Sequence, residues 1–73
     1  MKKKIENELD HVMAKGMRIE PGQIIKAILH SNQMVQGKVV KLFETTAGVQ
    51  VRLVSEDGSL VWNVEPSQIV TSK

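Results

Sequence analysis

The sequence predicts a mainly β fold, a small barrel of five short strands preceded by an N-terminal α-helix. Three observations carry that reading. Between Gln36 and Val70, apolar and polar residues alternate in short runs. Gly-bearing turns separate those runs, and Val64-Glu65-Pro66-Ser67-Gln68-Ile69-Val70 closes the series around a proline that lacks the N–H a strand interior must donate. Residues 3–15 break the pattern: Ile5, Leu9, Val12 and Met13 stand at i, i+4, i+7 and i+8, the stripe of an amphipathic helix.

Taken in order, the helix would end at Gly16, with Lys15 and Arg18 suiting the negative end of its dipole. Lys2, Lys3 and Lys4 oppose the positive end, so the first residues are expected to fray. The stripe is too short for a stable coiled coil. It either packs on the barrel or offers a surface to a partner or a second copy. Glu20-Pro21-Gly22 then divides a helical segment, residues 1–18, from a barrel, residues 19–73. In residues 21–30 both periods are present: Ile24, Ile25, Ile28 and Leu29 fit a helix, whereas Ile25, Ala27 and Leu29 fit one face of a strand. The short interval between Pro21-Gly22 and the loop-like His30-Ser31-Asn32-Gln33 favours the strand.

The next strands are plainer. Val39, Val40, Leu42 and Phe43 precede the turn Thr45-Thr46-Ala47-Gly48, and Val49, Val51 and Leu53 alternate with Gln50 and Arg52 to complete a hairpin. Ser55-Glu56-Asp57-Gly58 turns the chain again, with Gly58 able to take the positive φ of a tight turn. Leu60, Trp62 and Val64 then form an expected inward row, and Ile69-Val70 resumes the ladder after Pro66.

Composition limits the function classes. A chain of 73 residues holds one domain, and one this small buries only roughly 60% of its unfolded surface, so its core must be thin. With no cysteine there is neither a disulfide framework nor a thiolate metal site, and a reducing cytoplasm is the expected compartment. No apolar run suits a signal peptide or a membrane span, so neither export nor a membrane is expected. The net charge of +2 is spread evenly, five basic and four acidic groups in residues 1–20 and the same in residues 21–73. It permits nucleic-acid contact without a basic block.

Catalytic constellations are not found. His11 and His30 are the only histidines, so no metal is expected. Ser55, Ser59 and Ser67 lie in or beside turns, and Glu56-Asp57 reads as turn chemistry rather than an acid pair. The glycines are scattered singly and form no phosphate-cradling loop. No enzyme activity, cofactor or small-molecule substrate is expected. The binding candidates are Lys26, Lys38, Lys41 and Arg52, at polar positions of three strands that a barrel sets side by side, where a row of cations can follow a phosphate backbone. An ordinary solvated face is the competing reading. One Phe, one Trp and no Tyr leave no stacking platform for bases if Trp62 faces inward, and no aromatic cage.

The Pro21-Gly22-Gln23 strand start, Gln36-Gly37-Lys38-Val39-Val40, Gly48-Val49-Gln50-Val51-Arg52-Leu53 and Ser59-Leu60-Val61-Trp62-Asn63-Val64 together resemble the Src-homology-3-like, or Tudor-like, barrel over residues 20–71. Within it the chain is most similar to the C-terminal Tudor-like domain of the ProQ family of bacterial RNA chaperones, which implies the fold of a small binding platform. The helical RNA-binding domain of that family has no counterpart in this sequence. The type II dihydrofolate reductases are small barrels too, but their Gln-Ile-Tyr triplet is replaced here by Leu60-Val61-Trp62-Asn63 after Gly58-Ser59, so the enzyme reading loses its residues. The expectation is a small non-catalytic binding or adaptor protein contacting RNA or DNA backbone. The alternative is a protein-interaction or self-assembly module that uses Ile5, Leu9, Val12 and Met13 of the helix, or an edge strand.

Overall fold

Among residues 6–70, which the computed structural model describes, the chain is mainly β and contains no α-helix. The strands are β1 (Glu6–Glu8), β2 (Val12–Ala14), β3 (Met17–Ile19), β4 (Ile24–Ile28), β5 (Met34–Thr45), β6 (Gly48–Val54), β7 (Val61–Val64) and β8 (Ile69–Val70). A single 3-10 turn, Pro66–Gln68, separates the last two. The five strands expected after residue 19 are β4 to β8, and residues 24–28 form a strand with Ile25 and Ala27 facing in.

The N-terminal helix expected over residues 3–15 is corrected for residues 6–15; residues 3–5, and with them Ile5, lie outside the described residues. β1 pairs antiparallel with the end of β5, Glu8 opposite Phe43. β2 and β3 form a hairpin around Lys15 and Gly16, whose φ values of 51° and 80° are both positive, as the two central residues of a type I′ turn must be. Val12 and Ala14 are buried and Met13 between them is exposed, so a period of two won over the helical spacing.

Strand β5 organises the rest. One of its edges pairs with β6 from Lys38 to Thr45. The other pairs with β4 through Met34–Lys38, continues where the Gly22 N–H donates to the Val39 carbonyl and the Val39 N–H to the Gln23 carbonyl, and ends on β1. The register with β6 slips between Val39 and Lys41, leaving Val40 as an extra residue. Before this bulge Val35, Gly37 and Val39 face in; beyond it Leu42 joins the core, and Lys41 and Phe43 turn out. The strand also bends sharply. A Cβ on Gly37 would lie 2.7 Å from the Val54 carbonyl oxygen and 3.2 Å from the Leu53 Cβ, so only glycine lets the curled sheet close to this distance.

The sheet runs β7-β6-β5-β4-β8 and curls into a half-barrel without closing. β7 and β8, at its two ends, are connected by the 3-10 turn and are not paired among the described residues, and Pro66, which has no N–H to give, stands at the first position of that turn. Gln68 holds this turn: its Oε1 accepts from the Glu65 N–H at 2.8 Å and its Nε2 donates to the Ile28 carbonyl at 3.0 Å, tying the turn to the end of β4. The concave side is filled by Val39, Leu42, Val51, Leu53, Val64 and Ile69, and the β2–β3 hairpin lays Val12, Ala14 and Ile19 against them. Two further expectations change. Leu60 lies outside β7 and is 55% exposed, and Trp62 is only half-buried against the core.

Two outcomes follow. Gly37→Ala should destabilise the fold by about 1–3 kcal/mol, the usual cost of overpacking, read from the midpoint of chemical denaturation. Removing residues 1–18 deletes β1, Val12 and Ala14, so a chain beginning at Ile19 should lose cooperative melting by circular dichroism. An unchanged melting curve would show that the hairpin adds nothing to the core.

Candidate functional site

Alternation on β4 to β7 sends one set of side chains into the core and the other to the convex face. In register across that face stand Ile28 beside Met34, Lys26 beside Gln36, then Ile24, Lys38, Val54 and Val61 in one row, and Lys41, Arg52 and Asn63 in the next. All four cations expected to form a site therefore emerge on the same side of the sheet. None of these outward positions holds a carboxylate. Among the described residues, acidic side chains stand at the borders of this face, with Glu8 opposite Phe43, Glu56-Asp57 in the turn between β6 and β7, and Glu65 just after β7. Lys26 and Lys38 are exposed and make no ion pair among the described residues.

Lys41 reaches the face only because of the bulge at Val40, since strict alternation after Lys38 would point residue 41 inward. Phe43 follows it. The Lys41 Nζ stands 5.2 Å and the Arg52 Cζ 5.1 Å from the centroid of the Phe43 ring, a pair of cation–π contacts on the outer side of the sheet. Arg52 is held further by its Nε, which donates to the Asn63 Oδ1 at 3.1 Å. The ring is only 4% exposed, so it steadies the two cations rather than offering a surface on which a base can stack. Trp62 lies on the opposite, inward side, in register with Leu53.

Beside Lys38 the bend of β5 leaves an open groove of about 930 Å³, with Ile24, Val40 and Val54 as its apolar walls and Glu56 and Asp57 on one lip. That lip is well built. The Asp57 Oδ1 accepts from the Ser59 N–H at 3.0 Å, the Ser55 hydroxyl at 2.7 Å and the Ser59 hydroxyl at 2.8 Å. The Ser55 Oγ in turn accepts from the Leu60 N–H. These bonds, the Ser59 N–H foremost, hold the Asp57 carboxyl down at about 2, so it is ionised at neutral pH.

The residues offered as a partner stripe are not assembled on one face. Val12 is in the core, Leu9 packs against its edge, and Met13 is 59% exposed on the other side of the hairpin. His11 bonds through its Nδ1 to Asp10 at 2.9 Å, which lowers the Asp10 pKa, and His30 sits exposed in the β4–β5 turn. No group of three or more metal-ligating side chains gathers among the described residues, and no helix among them is long and apolar enough to cross a membrane. Sequence reasoning missed Phe43 and the groove. The signal was there in the doubled apolar pairs Val39-Val40 and Leu42-Phe43, which interrupt strict alternation.

Comparison of the chain with protein-family models, curated proteins and solved structures finds no match.

The serine cage sets a pH dependence. Because the folded pKa of Asp57 is about 2 against an ordinary 3.8, its contribution to stability is complete above 3.8 and is lost as pH falls through 2. Melting temperature measured against pH should therefore fall less steeply over that window in Asp57→Asn than in the native chain. Parallel curves would mean that the cage does not act on folding.

Proposed function

We propose that this chain is a small non-catalytic binding module of the Src-homology-3-like, Tudor-like kind, which contacts RNA or DNA backbone through Lys26, Lys38, Lys41 and Arg52. The fold part is supported by the strand order β8-β4-β5-β6-β7, by a bent second strand shared between both halves of the sheet, and by the 3-10 turn before the last strand. The likeness to the Tudor-like domain of ProQ remains part of the proposal. The observation that carries the function is the convex face of β4 to β7, where four cations stand among outward positions that hold no carboxylate, Glu8 of β1 bordering them opposite Phe43.

Physical chemistry favours an anionic chain as ligand. Phosphates laid along this face meet the exposed charges of Lys26 and Lys38 and the guanidinium of Arg52, and their condensed counterions are released on binding. A second reading, self-association, has its own observation: among the described residues no strand pairs with the outer edge of β7, and Leu60 before it and Val61 in it are exposed. A molecular mass that rises with concentration, at a salt level where nucleic acid does not bind, would favour it.

The function is tested by fluorescence anisotropy with labelled nucleic acid over a salt series. Binding should weaken linearly on a logarithmic salt scale, and Lys38→Glu with Arg52→Glu should abolish it while leaving the melting temperature near the native value. Unchanged affinity in the double variant excludes this face.

A further inference from the structure

We infer that the anionic chain is single-stranded, and that the groove beside Lys38 seats one of its bases, unstacked, with preference for a base that carries an exocyclic amino group. The inference rests on the proposed backbone contact and names the ligand class for the same face.

The apolar side chains supply the first argument. A duplex presents phosphates and sugars to a convex sheet, and cations alone satisfy it. This face instead interleaves its cations with aliphatic side chains, of which Ile24 is 60% and Val40 46% exposed. A base taken out of its stack has apolar faces to cover, and bases of single strands are the ones free to turn outward. With Phe43 beneath the cations and Trp62 turned to the core, the groove between Ile24, Val40 and Val54 is the apolar seat on the cationic side. Its volume of about 930 Å³ leaves ample room for a nucleobase and its sugar.

Electrostatics orient the occupant. Lys38 lines the groove from β5 and is followed along the face by Lys41 and Arg52, whereas Glu56 and Asp57 line it from the turn between β6 and β7. A phosphate is attracted at the first side and repelled at the second. The backbone is thereby held on the lysine side, and the base points to the acidic lip. There the Glu56 carboxylate has no partner among the described residues and accepts hydrogen bonds only, which matches the exocyclic amino group of cytosine, adenine or guanine, a group that thymine and uracil lack. Asp57, engaged by its serines, keeps the lip negative without being free to swing away.

The test uses the full chain and labelled strands of oligodeoxycytidine, oligodeoxyadenosine and oligodeoxythymidine, with a duplex of equal length, at one moderate salt concentration. The cytidine and adenosine strands should bind about tenfold tighter than the duplex, the factor that follows from covering part of one base with aliphatic surface. Ile24→Ser with Val40→Thr, both at exposed positions, should remove that advantage and leave the salt slope unchanged, whereas Lys38→Ala should lower the slope by about one for every ligand. Glu56→Gln should reduce the preference for cytidine over thymidine. The inference is overturned if the native chain binds duplex as well as single strands, or if the Ile24/Val40 variant keeps its single-strand advantage. It is also overturned if a polyglutamate chain of equal charge binds as tightly as the oligonucleotides, which would point to an acidic protein partner. Failure to bind any nucleic acid at low salt removes the proposed function itself, and this reading with it.

Discussion

Everything in this molecule depends on one strand being able to bend. β5 serves β4 with its first half, β6 with its second half and β1 with its tip, and no straight strand can keep those neighbours around one core. Two local devices produce the curvature. Gly37 removes the Cβ that would collide with the Val54 carbonyl, and the extra residue at Val40 adds twist where the two halves of the sheet part. The same devices create the outer surface. The bulge reverses the facing of every later residue in β5, bringing Lys41 and Phe43 out beside Arg52, and the bend opens the groove that Val40 walls.

The core of this domain is not made from strands β4 to β8 alone. The half-barrel leaves its concave side open, and the short β2–β3 hairpin supplies Val12, Ala14 and Ile19 to cover it, while β1 extends the β5 ladder. The N-terminal segment is thus continuous with the core in packing terms. Its sharp type I′ reversal at Lys15-Gly16 matches the right-handed twist of paired strands, which keeps the hairpin compact enough to lie against the sheet.

Strands β4 to β8 were legible because their signals are local: turn residues at Gly48 and Gly58, alternation through Val49–Leu53, and a proline before the last strand. The N-terminus was not, because Leu9, Val12 and Met13 satisfy a helical period by spacing alone, while β1 finds its partner far downstream on β5 and Val12 and Met13 pair with Ile19 and Arg18 across the β2–β3 turn. Lysine at the first turn position also hides the hairpin, since that positive φ is more often filled by Asn, Asp or Gly. Of the site, the outward placement of Lys26, Lys38 and Arg52 follows from alternation. That of Lys41 follows from a bulge, which is a property of two strands in register and so is written in neither alone.

The Gln68 side chain donates to the Ile28 carbonyl and so carries the pairing of β8 with β4 one position beyond Ala27 and Ile69. The last strand is therefore held to the sheet by only two residues and a single side-chain amide. Amide hydrogens on β8 and at the end of β4 should exchange with solvent through a local opening well below the free energy of global unfolding, whereas those shared by β5 and β6 exchange only when the whole domain opens. Such a hinge line lets the curvature of the convex face change while its core ladder stays intact.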